Sequence, residues 1–367
     1  MNVIDLEEFG DTSAKMIADC VLSGKSLYEG LQQHVAQVHR GRQLSIAIID
    51  TQEVNARAYS QGQIDVIEIN LGLIQKIYGT MHGLMSLPYF LPNVGDVAKE
   101  VMPEIADSEF CGYPMKTKDF DDPTFGAFFF PQDQTRCTFA MTLANYAMDF
   151  VVFHELGHIF GGHCELLNAS RGMTSISEFS AEHAETEIDV LRHLLECDAD
   201  AFAAHFPAEV ASLEDSSESL VQLFGDCGWE KQDVSISIFL VAVAATFRLL
   251  YPNASFANCR GSRCHPHPAV RSMVVGSSAL SQVSPYSDGA ARVVRVLPKS
   301  AVQVERAWQQ AFLAGTPNQL KDADLTDLAD VSTVLFDSYL KFRDVFSKYA
   351  RVPRNWDRWA TNAGQSN

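Results

Sequence analysis

The chain has 367 residues, 47% of them hydrophobic, and a formal net charge of −18. That length suits about two average domains, and the composition allows a sizeable buried core. The acidic excess argues against nucleic acid or an anionic membrane as partner. Eight scattered cysteines in a long chain point to reduced thiols and a cytoplasmic setting rather than a disulfide framework. The start, Met1 to Glu8, is acidic and lacks a signal-peptide pattern.

Residues 12–40 read as a helix, with Met16, Ile17, Val21, Leu22, Leu27 and Leu31 at three- and four-residue spacings. Leu44 to Asp50 is a β-branched apolar run that predicts a buried strand. Val54 to Tyr59, the turn signal Ser60-Gln61-Gly62-Gln63, and the partly alternating Ile64 to Asn70 predict an antiparallel hairpin. The hairpin either covers one side of the core or offers Ile67, Ile69 and Asn70 as an edge on which an extended peptide pairs. A short helix follows from Gly72. Residues 80–136 carry six prolines and predict a long irregular insertion, of the kind that is usually functional or mobile.

The next helix, expected from near Thr138 to Phe160, contains His154-Glu155-Leu156-Gly157-His158. Residues four apart share one helix face, so both imidazoles reach one ion. Zinc suits such a pair, and Glu155 sits where a carboxylate can take a proton from an activated water. Taken alone, three fixed residues in five also describe an ordinary surface turn. Here Phe150, Val151, Val152, Phe153, Ile159 and Phe160 bury the helix, and buried histidines and glutamates need partners.

Residues 169–184 read as a surface loop, and Glu187 to Ala204 as a second helix. Within it Glu196 and Asp200 are four apart among small and apolar residues, where unpaired acids are costly. Glu196 is the candidate third ligand. Asp200 is the candidate acceptor for a ligand histidine's free N–H, which fixes its tautomer. Residues 211–220 read as a polar connector. Val234 to Leu250 reads as a core helix, too short before Arg248 for the ~20 residues of a membrane span. Asn258 to Arg271 reads as a loop carrying Cys259, Cys264, His265 and His267; its Cys-x4-Cys spacing is atypical for zinc. Two further helices are expected over 300–350.

The chain resembles the gluzincin zinc metallopeptidases, and within them the family of CAAX prenyl proteases and heat-shock membrane proteases. Three blocks carry the likeness. They are Asn55-Ala56-Arg57-Ala58 through Gly62 to Ile74, then His154 to His158 with His163 and Glu196-x-x-x-Asp200, then His265-Pro266 with Arg271. The resemblance implies a substrate-pairing edge in the first block. In the third it implies that His265 (or His267) and Arg271 help hold substrate or the developing oxyanion. Members of that family usually have membrane helices or a secretory signal, and neither is visible here. A looser likeness is to the phage-exclusion proteases of bacteria. A metzincin would need histidine at position 164, which is Cys164.

The expected architecture is α+β and mostly helical, a gluzincin-type domain with a small antiparallel sheet and an active-site helix. The expected divisions are 1–42 as an N-terminal helical segment, 43–285 as the metallopeptidase domain and 286–367 as a C-terminal helical segment packed on it. The expected activity is zinc-dependent endopeptidase, one Zn²⁺ per chain. His154, His158 and Glu196 are the expected ligands, Asp200 supports them, and Glu155, His265 and Arg271 act on substrate. A protein or peptide substrate is the expected partner, with no nucleic acid and no membrane span, and with room for a regulatory partner. The alternative is a latent or non-catalytic zinc-binding module that keeps the protease fold.

Overall fold

The computed structural model describes residues 3, 11–32, 39–100, 130–171, 175–177, 190–211, 214–251, 266–282, 300, 303–307, 341 and 344–351. Described in order are α1 (Asp11–Gln32), β1 (Gln43–Ile49), β2 (Ala56–Gln61), β3 (Ile64–Asn70) and α2 (Leu71–Ser86). There follow α3 (Gln134–Phe160), α4 (His163–Arg171), β4 (Ser175–Ser177), α5 (Val190–Ala211), α6 (Glu214–Phe224), α7 (Val234–Leu250) and α8 (Pro268–Gln282). The protein is mostly helical with one small sheet.

The sheet is mixed rather than antiparallel, with strand order β1-β3-β2-β4. β3 pairs parallel with β1 (Ile46 opposite Ile67) and antiparallel with β2 (Ala58 opposite Ile67). It is therefore hydrogen-bonded on both sides. Ile67, Ile69 and Asn70 are buried and present no free edge, which corrects the expected peptide-pairing strand. Side-chain periodicity tells which face of a strand is buried, but it carries no information on strand order.

The core-facing side of β3 also carries a carboxylate, Asp65, which is fully buried. Tyr28 Oη (2.6 Å), Ser60 Oγ (2.7 Å), Arg42 Nη2 (2.7 Å) and Arg351 Nη1 (2.7 Å) all donate to it. Burial pushes its pKa up, but the hydrogen bonds and charges of Arg42 and Arg351, with Tyr28, outweigh that and hold it down at about 2. Arg351 reaches on to Glu165, and its backbone N–H donates to Phe160 O. The described part of the C-terminal segment is thus tied to the sheet, to α4 and to the end of α3.

α3 is the hub. α1, α2, α5 and α7 pack on it, and β2 and β3 touch it. It starts four residues earlier than expected, because Asp133 caps it by accepting from Thr135 N (3.0 Å) and Arg136 N (3.2 Å). Arg136, fully buried, spends all five of its N–H donors on carbonyls of the last turn of α2 and the loop after it. It donates to Met85 O, Leu87 O, Phe90 O, Leu91 O and Val94 O at 2.8–3.1 Å. So residues 87–94 of the expected irregular insertion are an ordered cover over the start of α3, while 101–129 lie outside the described residues.

Every residue of α7 is buried, as an all-round apolar helix requires. No helix among the described residues is long and apolar enough to cross a membrane. Two stretches expected as loops are helical. α6 takes in the polar run, with Leu220, Val221 and Phe224 giving its apolar side. α8 begins at Pro268, a favoured first helical residue, with His267 Nδ1 accepting from Ala269 N at 3.2 Å as its cap.

Replacing Asp65 with Asn should leave Arg42 and Arg351 without their buried counter-charge and cost ~3–5 kcal/mol, read by chemical denaturation. The pH sign follows from the folded value lying below the ordinary 3.8. The stabilisation is complete above about pH 4 and is lost as pH falls through about 2. The Asp65→Asn protein should lack that acid-side loss.

Candidate metal centre

α3 and α5 cross at Gly157 and Ala199. A Cβ on Gly157 would lie 2.9 Å from Ala199 Cα and 3.2 Å from Ala199 Cβ, so the helices meet almost backbone to backbone. This approach sets His154 and His158 on α3 against Glu196 and Asp200 on α5. All four are at most 3% exposed.

The donor atoms converge. His154 Nε2 lies 3.0 Å from His158 Nε2 and 3.3 Å from Glu196 Oε2, and His158 Nε2 lies 3.6 Å from Glu196 Oε1. Atoms bound about 2.0–2.1 Å from one tetrahedral ion sit roughly 3.3 Å from each other. Among the described residues, these three form the group of histidine, cysteine and acidic side chains able to hold a metal ion.

The outer ring nitrogens explain which atoms face inward. His154 Nδ1 lies 2.9 Å from Asp200 Oδ1, in reach of the carboxylate though off the best hydrogen-bond line. A carboxylate only accepts, so a proton on His154 Nδ1 is the arrangement in which Asp200 supports the ring and Nε2 offers a lone pair toward His158. His158 Nδ1 is 2.9 Å from His163 Nδ1, and His163 Nε2 is 2.7 Å from Asp198 Oδ2. Two imidazole nitrogens and a carboxylate crowded together in a buried site repel one another unless a cation sits among them. The residues present therefore fit zinc or a similar divalent ion.

Arg271, on the first turn of α8, grips Asp200 with two bonds, Nε to Oδ2 (2.7 Å) and Nη2 to Oδ1 (2.8 Å). Its Nη2 is 3.6 Å from Glu196 Oε2, and its guanidinium lies 4.5 Å over the Phe247 ring. Its cationic charge offsets the two acids before any ion arrives. Its closest polar partner is thus a carboxylate of the site. His267 is buried at the start of α8, capping it, and His265 lies outside the described residues, as do Cys259 and Cys264.

Glu155 lines a cleft with His154, Ala56, Leu73, Thr246 and Arg271. The volume is about 10 Å³, room for about one water. His163 and Asp198 were not singled out as site residues in the sequence. Asp198 reads as part of a solvated acidic face with Glu187 and Asp189, yet it is buried at 2% exposure. The available signal was the Gly161-Gly162 pair, which turns the chain so that His163 folds back under His158.

The full-length protein should take up one Zn²⁺ per chain, measured by elemental analysis after dialysis. His154→Ala or Glu196→Ala should abolish stoichiometric uptake. Gly157→Ala should overpack the crossing, cost ~1–3 kcal/mol in a thermal or denaturant melt, and weaken zinc binding with it.

Against protein-family models, curated proteins and solved structures, the chain finds no match, and the geometry alone speaks for the site.

Proposed function

We propose that this chain is a zinc-dependent endopeptidase that hydrolyses a peptide bond of a protein substrate. The supporting observation is the conjunction of a three-donor pocket from His154, His158 and Glu196 with a carboxylate, Glu155, on the adjoining cleft. Three protein ligands leave a fourth position open, as catalytic zinc sites do, and a structural site has no need of a general base. Bound there, zinc would act as a Lewis acid toward water and a substrate carbonyl.

The chain's own groups supply the rest. The Glu155 carboxylate takes a proton from the attacking water and hands it to the leaving amine. Asp200 holds His154 in the tautomer that frees Nε2, and Arg271 holds Asp200 in turn. Because the guanidinium also borders the cleft, a contact with a substrate oxygen belongs to the proposal, in keeping with the gluzincin resemblance. Thr246, Ala56, Leu73 and Leu250 give that cleft a mostly apolar wall, which lowers the local dielectric around the proton transfer.

One observation favours a latent form as the second reading. His154, Glu155, His158 and Glu196 are only 1–3% exposed, and the cleft has room for about one water. A peptide does not fit a space of that size, so turnover requires opening, and a regulatory partner is one way to drive it.

The test is a proteome-wide search for new N-termini in cells making the protein, with Glu155→Gln as the matched control. The endopeptidase reading expects termini that depend on Glu155, and a 10²–10⁴-fold lower rate for the variant on the substrate so found. Equal cleavage by the Glu155→Gln protein would sink the assignment. No new termini with either protein would favour the latent or non-catalytic reading.

A further inference from the structure

The two candidate ligand histidines are supported differently. His154 faces a carboxylate directly, whereas His158 faces a second histidine. We propose that His163 and Asp198 are a positioning pair for the metal ligand His158: Asp198 accepts from His163 Nε2–H, and His163 Nδ1 accepts from His158 Nδ1–H. This rests on the zinc reading above.

With neutral imidazoles and His158 Nε2 left open for the metal, the direction of the chain follows at each link. Asp198 is acceptor-only, so at 2.7 Å its partner His163 Nε2 is the donor. A neutral imidazole with its proton on Nε2 has a lone pair on Nδ1. The atom 2.9 Å away, His158 Nδ1, is then the donor. That leaves His158 Nε2 bare and aimed at His154 Nε2 and Glu196. The reverse assignment would place a proton on His158 Nε2 and close it to a cation. Only one tautomer of each ring therefore serves both the hydrogen bonds and the metal.

The surroundings fix the rings as well as the protons. His163 is fully buried and Asp198 nearly so. A Cβ on Gly161 would collide with the His163 ring, so the chain passes it at close range. The Phe346 ring, its centroid 6.3 Å from that of His163, is carried by the segment that Arg351 anchors. α4 thus contributes to the centre without contributing a ligand. Partners that hold a ligand imidazole in one orientation raise its basicity, and their loss typically weakens metal affinity 10–100-fold.

The rival explanation is a buried polar pair that merely ties α4 to α5. Zinc affinity of the metal-stripped full-length chain, by competition with a chromogenic chelator, separates the two when read beside the unfolding midpoint of the same metal-free protein. Two substitutions serve. Asp198→Asn keeps shape and removes the charge. The double change His163→Phe with Asp198→Leu removes both hydrogen bonds without stranding a buried carboxylate. Positioning predicts 10–100-fold weaker zinc binding for the double variant and an intermediate loss for Asp198→Asn, beyond any change in metal-free stability. It also predicts that ¹⁵N spectra of the metal-free protein show His158 as the Nδ1–H tautomer, and that Asp198→Asn shifts it toward a mixture. Should the double variant fail to fold, Asp198→Asn and the spectra decide. Zinc affinity within twofold of the unsubstituted chain in the variants overturns the positioning role alone. No zinc uptake by the unsubstituted chain overturns the zinc reading and this pair's role together.

Discussion

The candidate centre depends on how closely α3 and α5 approach. Ligand atoms on two helices reach one ion only if the backbones come near enough for short side chains to meet, and Gly157 against Ala199 permits that. The rest of the fold keeps the two helices in that relation. α2 and α7 pack on α3, and α8 packs on α5 and brings Arg271 to Asp200. Leu194 and Leu195 of α5 share a second apolar cluster with Val270 of α8 and Phe346. A methyl at Gly157 would act on every ligand distance at once.

A second thread is the handling of buried charge. Asp65, Asp198, Asp200 and Glu196 are all buried, and each has a cationic or hydrogen-bonding partner. Arg136 donates to carbonyl groups, with Glu100 Oε1 3.6 Å away as counter-charge, and so shapes the loop after α2. Such groups are expensive to strand and specific in direction, so they fix geometry more than they add stability. At the centre this directionality orients imidazole lone pairs. At Asp65 it fastens the described C-terminal segment near the end of α3.

Much of the centre was legible in the sequence because it repeats with helical period. His154 and His158, and again Glu196 and Asp200, lie one turn apart among apolar neighbours, where unpaired polar groups are costly. Asp198 was hidden by its setting, since an aspartate in a run with Glu187 and Asp189 looks solvated. His163 was visible only as part of the family-like block, with no role given, because it comes after a turn, where periodicity ends. Gly157 occupies a free position of the motif, and only the helix crossing reveals why it is small. In the fold, β1 to β3 and the long core helices follow from local pattern, whereas β4 lies in the stretch 169–184 that reads as a surface loop. The place of β3 in the middle of the sheet does not, because pairing order is a long-range property. The first turn of α8, Pro268 to Arg271, reads in the sequence as the end of a loop, and Pro268 stops a helix as readily as it starts one.

The most direct test of the account is diffraction from crystals grown with Zn²⁺, with anomalous data collected on both sides of the zinc absorption edge. The account predicts one edge-dependent peak about 2.0–2.1 Å from His154 Nε2 and His158 Nε2 and within similar reach of a Glu196 oxygen, with Glu155 facing its open side. A full-occupancy peak elsewhere, or none between these three side chains at saturating zinc, would contradict it.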